Sequence, residues 1–333
     1  ICLALFASAA PAVAAPSDNP AGLQRVIVQL RPGGPAPQGL AASVARSGGR
    51  IGAVYEHALK GFAAELPQAA IDALLRNPNV LSVTPDRIIS IADQDIPTGF
   101  DRIEADLSTD APTSAADCPL GEACTDADIA VLDTGSNNHP DLNVVHRVDC
   151  SAIFGPCSDG TGFDGHGHGT HVAGIAAALD NTYGVVGAAP GARVWSVKVL
   201  GDDGTGFLTS LIAGVDWVTA RAGEIDVANT RRAGAFSDAG FDTAIANAVE
   251  AGITFVAAAG TDGIDAAGVS PANHPDVITV SAVSDGDGAG GWLGAFLCRH
   301  DQTDDTLATF SNFGSVIDIA APGVCIRSTW NDA

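Results

Sequence analysis

The spacing of apolar residues changes period several times over the first ninety residues. Arg25–Leu30 is a short apolar run of strand character, Ala42–Gly49 is weakly helical, and Gly52–Leu66 alternates in the manner of strands. Gln68–Asn77 places its apolar residues on one helical face, and Val80–Ser90 reads as a further strand. Elements of these lengths in this order predict a small α+β unit of ferredoxin-like type.

From Asp128 onward the pattern is different. Strand-like runs at 128–135, 193–200, 225–230, 253–260 and 277–283 alternate with helical stretches at 171–179, 208–222 and 241–252. Such alternation predicts an α/β fold, a doubly wound and largely parallel sheet with helices on both faces, with ligands bound beyond the carboxyl ends of the strands. Between the two units, the polar Asp93-Gln94-Asp95 and the Pro- and Gly-bearing Ile96–Ile103 mark a boundary. This gives a first domain over 24–92 and a second over 97–333. A Gly/Asp-rich stretch at 284–294 reads as a surface loop, and no repeat of 20–50 residues is visible.

Charge divides at the same boundary. Of the formal net charge of −23, residues 1–96 contribute nothing, with seven basic and seven acidic side chains, while 97–333 carry nine and thirty-two. An acidic surface of this kind repels nucleic-acid phosphates and anionic membranes, so neither is expected as a partner. A monomer is the default state. Of the 333 residues, 46% are hydrophobic and only 17% charged, which suits a tightly packed globule.

Residues 1–15 form an apolar run too short to span a bilayer, and it closes on Ala12-Val13-Ala14, the small-residue triplet of a signal cleavage site. A secreted, extracellular protein follows. With no basic start and no Met anywhere, the sequence is expected to begin inside that signal. Cys2 belongs to the signal, leaving Cys118, Cys124, Cys150, Cys157, Cys298 and Cys325, an even number that fits an oxidising compartment. Six cysteines allow 15 pairings. The short separations of Cys118/Cys124 and Cys150/Cys157 suggest local clips and leave Cys298 with Cys325, while the absence of C-x-x-C spacing weighs against zinc.

Chemistry gathers at two motifs. Asp133 stands where the strand Ile129–Leu132 runs out into Thr134-Gly135, which delivers a carboxylate to a strand's carboxyl end. Asp-Thr-Gly is also the motif of aspartic proteases, but those need a second copy and an all-β frame, and neither is present. In Asp164–Gly174, three histidines fall within six residues ahead of a helix of small residues. His-x-His could chelate zinc, yet no further ligand cluster completes such a site. His166 and His171 are read as structural. His168 heads the helix 35 residues after Asp133, a separation that lets one excursion of the chain set imidazole beside carboxylate, the pairing that orients a general base.

Asp-Thr-Gly followed by His168-Gly-Thr-His-Val-Ala-Gly174 resembles the first two signatures of the subtilisin-like serine proteases. Tyr55–Phe62 and Asn77–Val80 resemble the inhibitory prosegment of that family. Phe310–Ser315, Asp318–Gly323 and Ser328-Thr329-Trp330 resemble its proteinase K branch. The resemblance implies a secreted endopeptidase zymogen whose prosegment acts as intramolecular inhibitor and is released near 92–97. It makes Asp133 the orienter and His168 the base of a nucleophilic serine, the Ser lying in a Gly-Thr-Ser-Met-Ala motif about ten residues past Ala333. It also implies structural calcium, held by the carbonyls of Pro275 and Val277 and the carboxylate of Asp318.

Two departures from the family pattern stand out. Thr261 occupies the oxyanion position where the family has Asn, and losing one such donor typically costs ~10²–10³ in turnover. Arg231-Arg232-Ala233-Gly234 stand at the wall of the substrate cleft, where arginines are unexpected. These departures motivate the contrasting reading, a catalytically impaired pseudoprotease that binds peptide.

Overall fold

A computed structural model of the chain describes residues 23–90, 125–153, 155–181, 184–230, 237–286 and 301–331. The signal-like segment 1–15 and the boundary at 92–97 lie outside the described residues, as do Cys118, Cys124 and Cys298.

The first unit runs β1 (Leu23–Leu30), α1 (Pro37–Arg46), β2 (Arg50–Tyr55), β3 (Gly61–Pro67), α2 (Gln68–Leu75) and β4 (Val80–Pro85). Its four strands lie in the order β2-β3-β1-β4, all antiparallel, which is the ferredoxin-like arrangement. Alternation along β1 explains how one sheet serves two cores. Val26, Val28 and Leu30 face α1 and α2 with Phe62, Leu66 and Ile71, whereas Ile27 points the other way with Ala53, Tyr55 and Leu59. The run read from sequence as one strand, 80–90, is two: β4 ends at Pro85, and β5 (Ile88–Ser90) leaves the sheet.

The second unit contains β6 (Asp128–Asp133), β7 (Val144–Asp149), β8 (Ser158–Asp159), α3 (His168–Ala177), β9 (Arg193–Lys198), β10 (Thr205–Phe207) and α4 (Leu208–Thr219). It continues with β11 (Val227–Thr230), α5 (Ala239–Glu250), β12 (Thr254–Ala258), β13 (Ile278–Ser284), β14 (Thr306–Leu307) and β15 (Ile319–Pro322). Among the described residues, nine of these strands form one sheet in the order β14-β13-β12-β11-β6-β9-β7-β8, with β15 also on β13. Its interior pairs are parallel, and β8 and β14 add antiparallel edges. All six residues of β6 are buried, the pattern of a parallel strand covered on both faces. The chain leaves β6 for β9 on one side and later returns to β11 on the other, so the carboxyl end of β6 is a switch point where ligands bind.

α3 approaches backbone closely, which explains its small residues. A Cβ on Gly169 would lie 2.1 Å from the carbonyl oxygen of Gly135. α4 is apolar nearly all round and is buried accordingly, because it lies between the two units. Its Leu208, Leu211, Ile212 and Val215 share a single core with Ile27, Tyr55 and Leu59 of the first unit and with Leu132 and Val197 of the large sheet. Cys150 and Cys157 form the expected disulfide, and Cys325 is disulfide-bonded to a residue outside those described.

Candidate active site

The D-T-G turn and the head of α3 meet at the carboxyl end of β6. Gly135 takes φ +106°, and a Cβ there would strike the carbonyl oxygen of Gly162 at 2.4 Å, so only glycine fits. The turn aims Asp133 at α3, where its Oδ1 lies 2.6 Å from His168 Nδ1. Both residues are buried, at 1% and 5% exposure. The Thr134 N–H donates to the same carboxylate oxygen at 2.7 Å. A proton on Nδ1 is the one this carboxylate accepts, which turns Nε2 into the basic nitrogen. Asp133 and His168, chosen from sequence, are therefore brought together.

α3 has no N-cap side chain of its own, since Gly167 occupies that position with φ +103°. Asp164 supplies the cap. Its Oδ1 accepts from the N–H groups of His166 (3.0 Å) and Gly167 (2.7 Å) and from Thr134 Oγ1 (2.9 Å). Its Oδ2 accepts from Thr170 N–H (2.9 Å) and Thr170 Oγ1 (2.7 Å). Thr134 Oγ1 in turn accepts from Gly169 N–H at 2.9 Å, so the two motifs are tied through one buried carboxylate. Lys198, at the end of β9, donates to the Thr134 carbonyl and to Asp202 at 2.7 Å; the latter bond holds the Asp202 carboxyl below its ordinary range.

Asp164, Thr134 and Lys198 were not singled out from sequence. Asp164 carries a readable signal, an acidic residue three positions ahead of a glycine that opens a helix. His166 stands edge-on to His168 with ring centroids 6.3 Å apart, and His171 meets Trp330 edge-on at 5.8 Å.

A cavity of about 260 Å³ opens between α3 and the strands β12, β13 and β15, walled by Val172, Ile175, Val256 and Val280. Thr261 is on its lining, its Oγ1 buried and without a hydrogen-bond partner among the described residues. Arg231, Arg232, Ala233 and Gly234 lie outside the described residues. Of the residues implied for calcium, Val277 is buried, Pro275 is exposed, and Asp318 is exposed with Oδ2 accepting from Thr279 N–H at 2.8 Å. Carbonyls and a carboxylate are the hard oxygen donors calcium takes. Among the described residues no group of three or more His, Cys, Asp or Glu gathers to hold a metal. None of the described helices is long and apolar enough to cross a membrane.

The first unit lies against β10 and α4 of the second. β5 pairs antiparallel with β10, Ser90 opposite Thr205 and Ile88 opposite Phe207, so the chain adds a strand to an edge of the second unit. Asp86, just ahead of β5, caps α4: its carboxylate accepts from Thr209 N–H at 2.9 Å and Thr209 Oγ1 at 2.8 Å. Tyr55 donates its hydroxyl to the Thr209 carbonyl at 3.0 Å. In return Asp216, on α4, accepts with one oxygen from the N–H groups of Glu56 (3.2 Å), His57 (2.5 Å) and Ala58 (2.6 Å). Burial pushes the Asp86 carboxyl up to about 6 and raises that of Asp216.

Residues 125–333 match the model of the subtilase family, and residues 26–92 match that of the peptidase inhibitor I9 family. Subtilisin NAT of Bacillus subtilis subsp. natto is 33% identical over 290 residues, covering 86% of this chain and 67% of that protein. The alkaline serine protease ver112 of Corniculantispora psalliotae is 35% identical over 287 residues, covering 83% of this chain and 66% of that protein. A solved cold-adapted subtilisin-like serine proteinase is 29% identical with a TM-score of 0.46, over 62% of this chain and 66% of that one. The chain thus spans about two thirds of the length of these relatives.

Proposed function

The chain belongs to the subtilase family, and from that premise we propose that it is the precursor of a secreted serine endopeptidase in which Asp133 and His168 are two members of an Asp-His-Ser triad. The observation that carries the reading is the buried 2.6 Å hydrogen bond between His168 Nδ1 and Asp133, at the switch point of the sheet. In this reading His168 Nε2 accepts the proton of a serine hydroxyl as its oxygen attacks the peptide carbonyl. His168 then returns that proton to the leaving amine, while Asp133 holds the ring and stabilises the imidazolium. The serine is assigned to sequence following Ala333. Thr261 stands at the oxyanion position with a hydroxyl in place of a longer amide donor.

The segment 24–92 is assigned as the inhibitor. Its strand pairing at β10 and its cap on α4 support that role, with release near 92–97 by the enzyme's own activity. His168→Ala in the full-length protein is expected to lower peptide hydrolysis by about 10⁴-fold or more and to leave the prosegment attached, followed by electrophoresis and a peptide substrate. Release at the normal rate in that variant would rule the mechanism out. The departure at Thr261 favours a second reading, a pseudoprotease that binds peptide along β10 without cleaving it. Under that reading the unmodified full-length protein neither hydrolyses peptide nor sheds the prosegment.

Calcium is assigned to Pro275, Val277 and Asp318, where it would hold the start of β13 to the start of β15. Chelation with EDTA is expected to lower the melting temperature, and Asp318→Asn to abolish that response; a melting temperature indifferent to EDTA removes the site.

A further inference from the structure

The amino end of α3 is built from residues that do not fix a helix. Two of its first seven residues are glycines, each costing roughly 1 kcal/mol against alanine in a helix, and its N-cap has no side chain. The position of His168 is therefore set from outside. Asp164 and Thr134 hold the N–H groups on one side. On the other side runs a strap, Ser328–Asn331, that the mechanism above leaves unused.

The strap is fitted to α3 in detail. Ser328 Oγ donates to the His171 carbonyl at 2.6 Å, and Thr329 Oγ1 donates to the Thr170 carbonyl at 2.7 Å. Gly174 makes that approach possible, because a Cβ there would lie 2.3 Å from Ser328 Oγ and 2.4 Å from Thr329 Oγ1. The Trp330 indole lies on Gly167. The three atoms nearest a Cβ on Gly167 would all belong to it: Cε2 at 2.4 Å, Cζ2 at 2.5 Å and Nε1 at 2.9 Å. Asn331 then closes the ring, donating through Nδ2 to the Asp164 carbonyl at 3.3 Å and accepting from Asn137 Nδ2 at 3.2 Å. The peptide Gly167–His168 is thus held between the Asp164 loop and the strap. The strap itself follows directly from the buried, disulfide-bonded Cys325.

We propose that Trp330 and Thr329 are positioning residues for His168, pressing the first turn of α3 against the Asp164 loop so that the imidazole meets Asp133 in one geometry. The role in turnover rests on the assignment of His168 as general base; the seating of the ring does not. A base displaced by about 1 Å can lose on the order of 10² in rate, and the loss falls on kcat because the strap need not touch substrate.

The test compares Trp330→Ala and Thr329→Val with the conservative Trp330→Phe and Thr329→Ser in the full-length protein. Two readouts are taken: kcat against KM on a peptide substrate, and the low-field proton resonance of the His168–Asp133 hydrogen bond. Trp330→Ala and Thr329→Val are expected to shift and broaden that resonance and to lower kcat by roughly tenfold to a hundredfold with KM unchanged, and the conservative variants to restore both. If Trp330→Ala fails to fold, Thr329→Val carries the comparison, since valine keeps the shape and loses only the donor. A perturbed resonance in a protein that hydrolyses no peptide would uphold the strap and reject the assigned activity. An unchanged resonance in a folded Thr329→Val or Trp330→Ala protein, or a loss in KM alone, would overturn the proposal.

Discussion

α3 and α4 begin in the same condition and are completed from opposite sources. Neither has a capping side chain at its own N-cap, Gly167 in one and Phe207 in the other, whereas α5 caps itself through Asp238. α3 receives Asp164 from the same unit, thirty residues after the Thr134 it also binds. α4 receives Asp86 from the prosegment. An N-cap contributes about 1 kcal/mol, so α4 is best formed while the prosegment is in place. Release of the prosegment, as proposed, would leave Asp216 and the amino end of α4 to water. The helix that carries His168 is fastened from within its own unit, and the helix that meets the prosegment is fastened from outside it.

The widest separation between the two is expected from Asp164→Ala, which breaks the fastening from within. It removes the acceptor of the Thr134 and Thr170 hydroxyls and of three N–H groups. A cost of about 4 kcal/mol follows, seen as a fall of roughly 10 °C in melting temperature, with peptidase activity lost in parallel. A variant that melts normally would show that water can replace Asp164.

Proton linkage sharpens the contrast from the other side. Asp86 has a pKa of about 6 when docked, against an ordinary 3.8. The docked state therefore holds more protons, so docking is strongest below about pH 4, weakens as pH rises to about 6 and is level above that. The full span corresponds to about a hundredfold in affinity. Arg25 from β1 and Asp238 at the head of α5 face this carboxyl, and His57 faces Asp216, whose own raised value acts in the same direction. Dissociation of the processed prosegment measured from pH 4 to pH 8 should speed up accordingly, and Asp86→Asn should remove most of the dependence. A flat profile in the unmodified protein would contradict it. The smallest effect is expected from Asp216→Ala. It deprives three backbone N–H groups of one carboxylate and should speed release about 30-fold, or about 2 kcal/mol, with the melting temperature of the released enzyme unchanged.

The large sheet was legible because β6 and β12 are nearly continuous apolar runs, and β9 and β13 apolar-rich ones, between loops. β7, with the sequence Val-Val-His-Arg-Val-Asp, and β15, Ile-Ala-Ala-Pro, have no clear period, and β8, β10 and β14 are too short to show one. The run 80–90 concealed a break because Pro85 and Asp86 sit inside otherwise strand-like sequence. Asp133 and His168 were legible from their motifs. Trp330 was not, since it reaches Gly167 across more than 160 residues of chain and only the folded sheet brings them together. The prosegment dock was least legible of all. A carboxylate that accepts from three backbone N–H groups, as Asp216 does, selects no side-chain pattern in its partner.

The pairing of β5 with β10 has a further meaning for the life of the precursor. An unpaired strand edge is a template on which any extended chain can add itself, another copy included. While the prosegment is attached, the backbone of Thr205–Phe207 is already taken by Ile88–Ser90. A newly made molecule, crowded among copies of itself, thus has that edge sealed by its own chain.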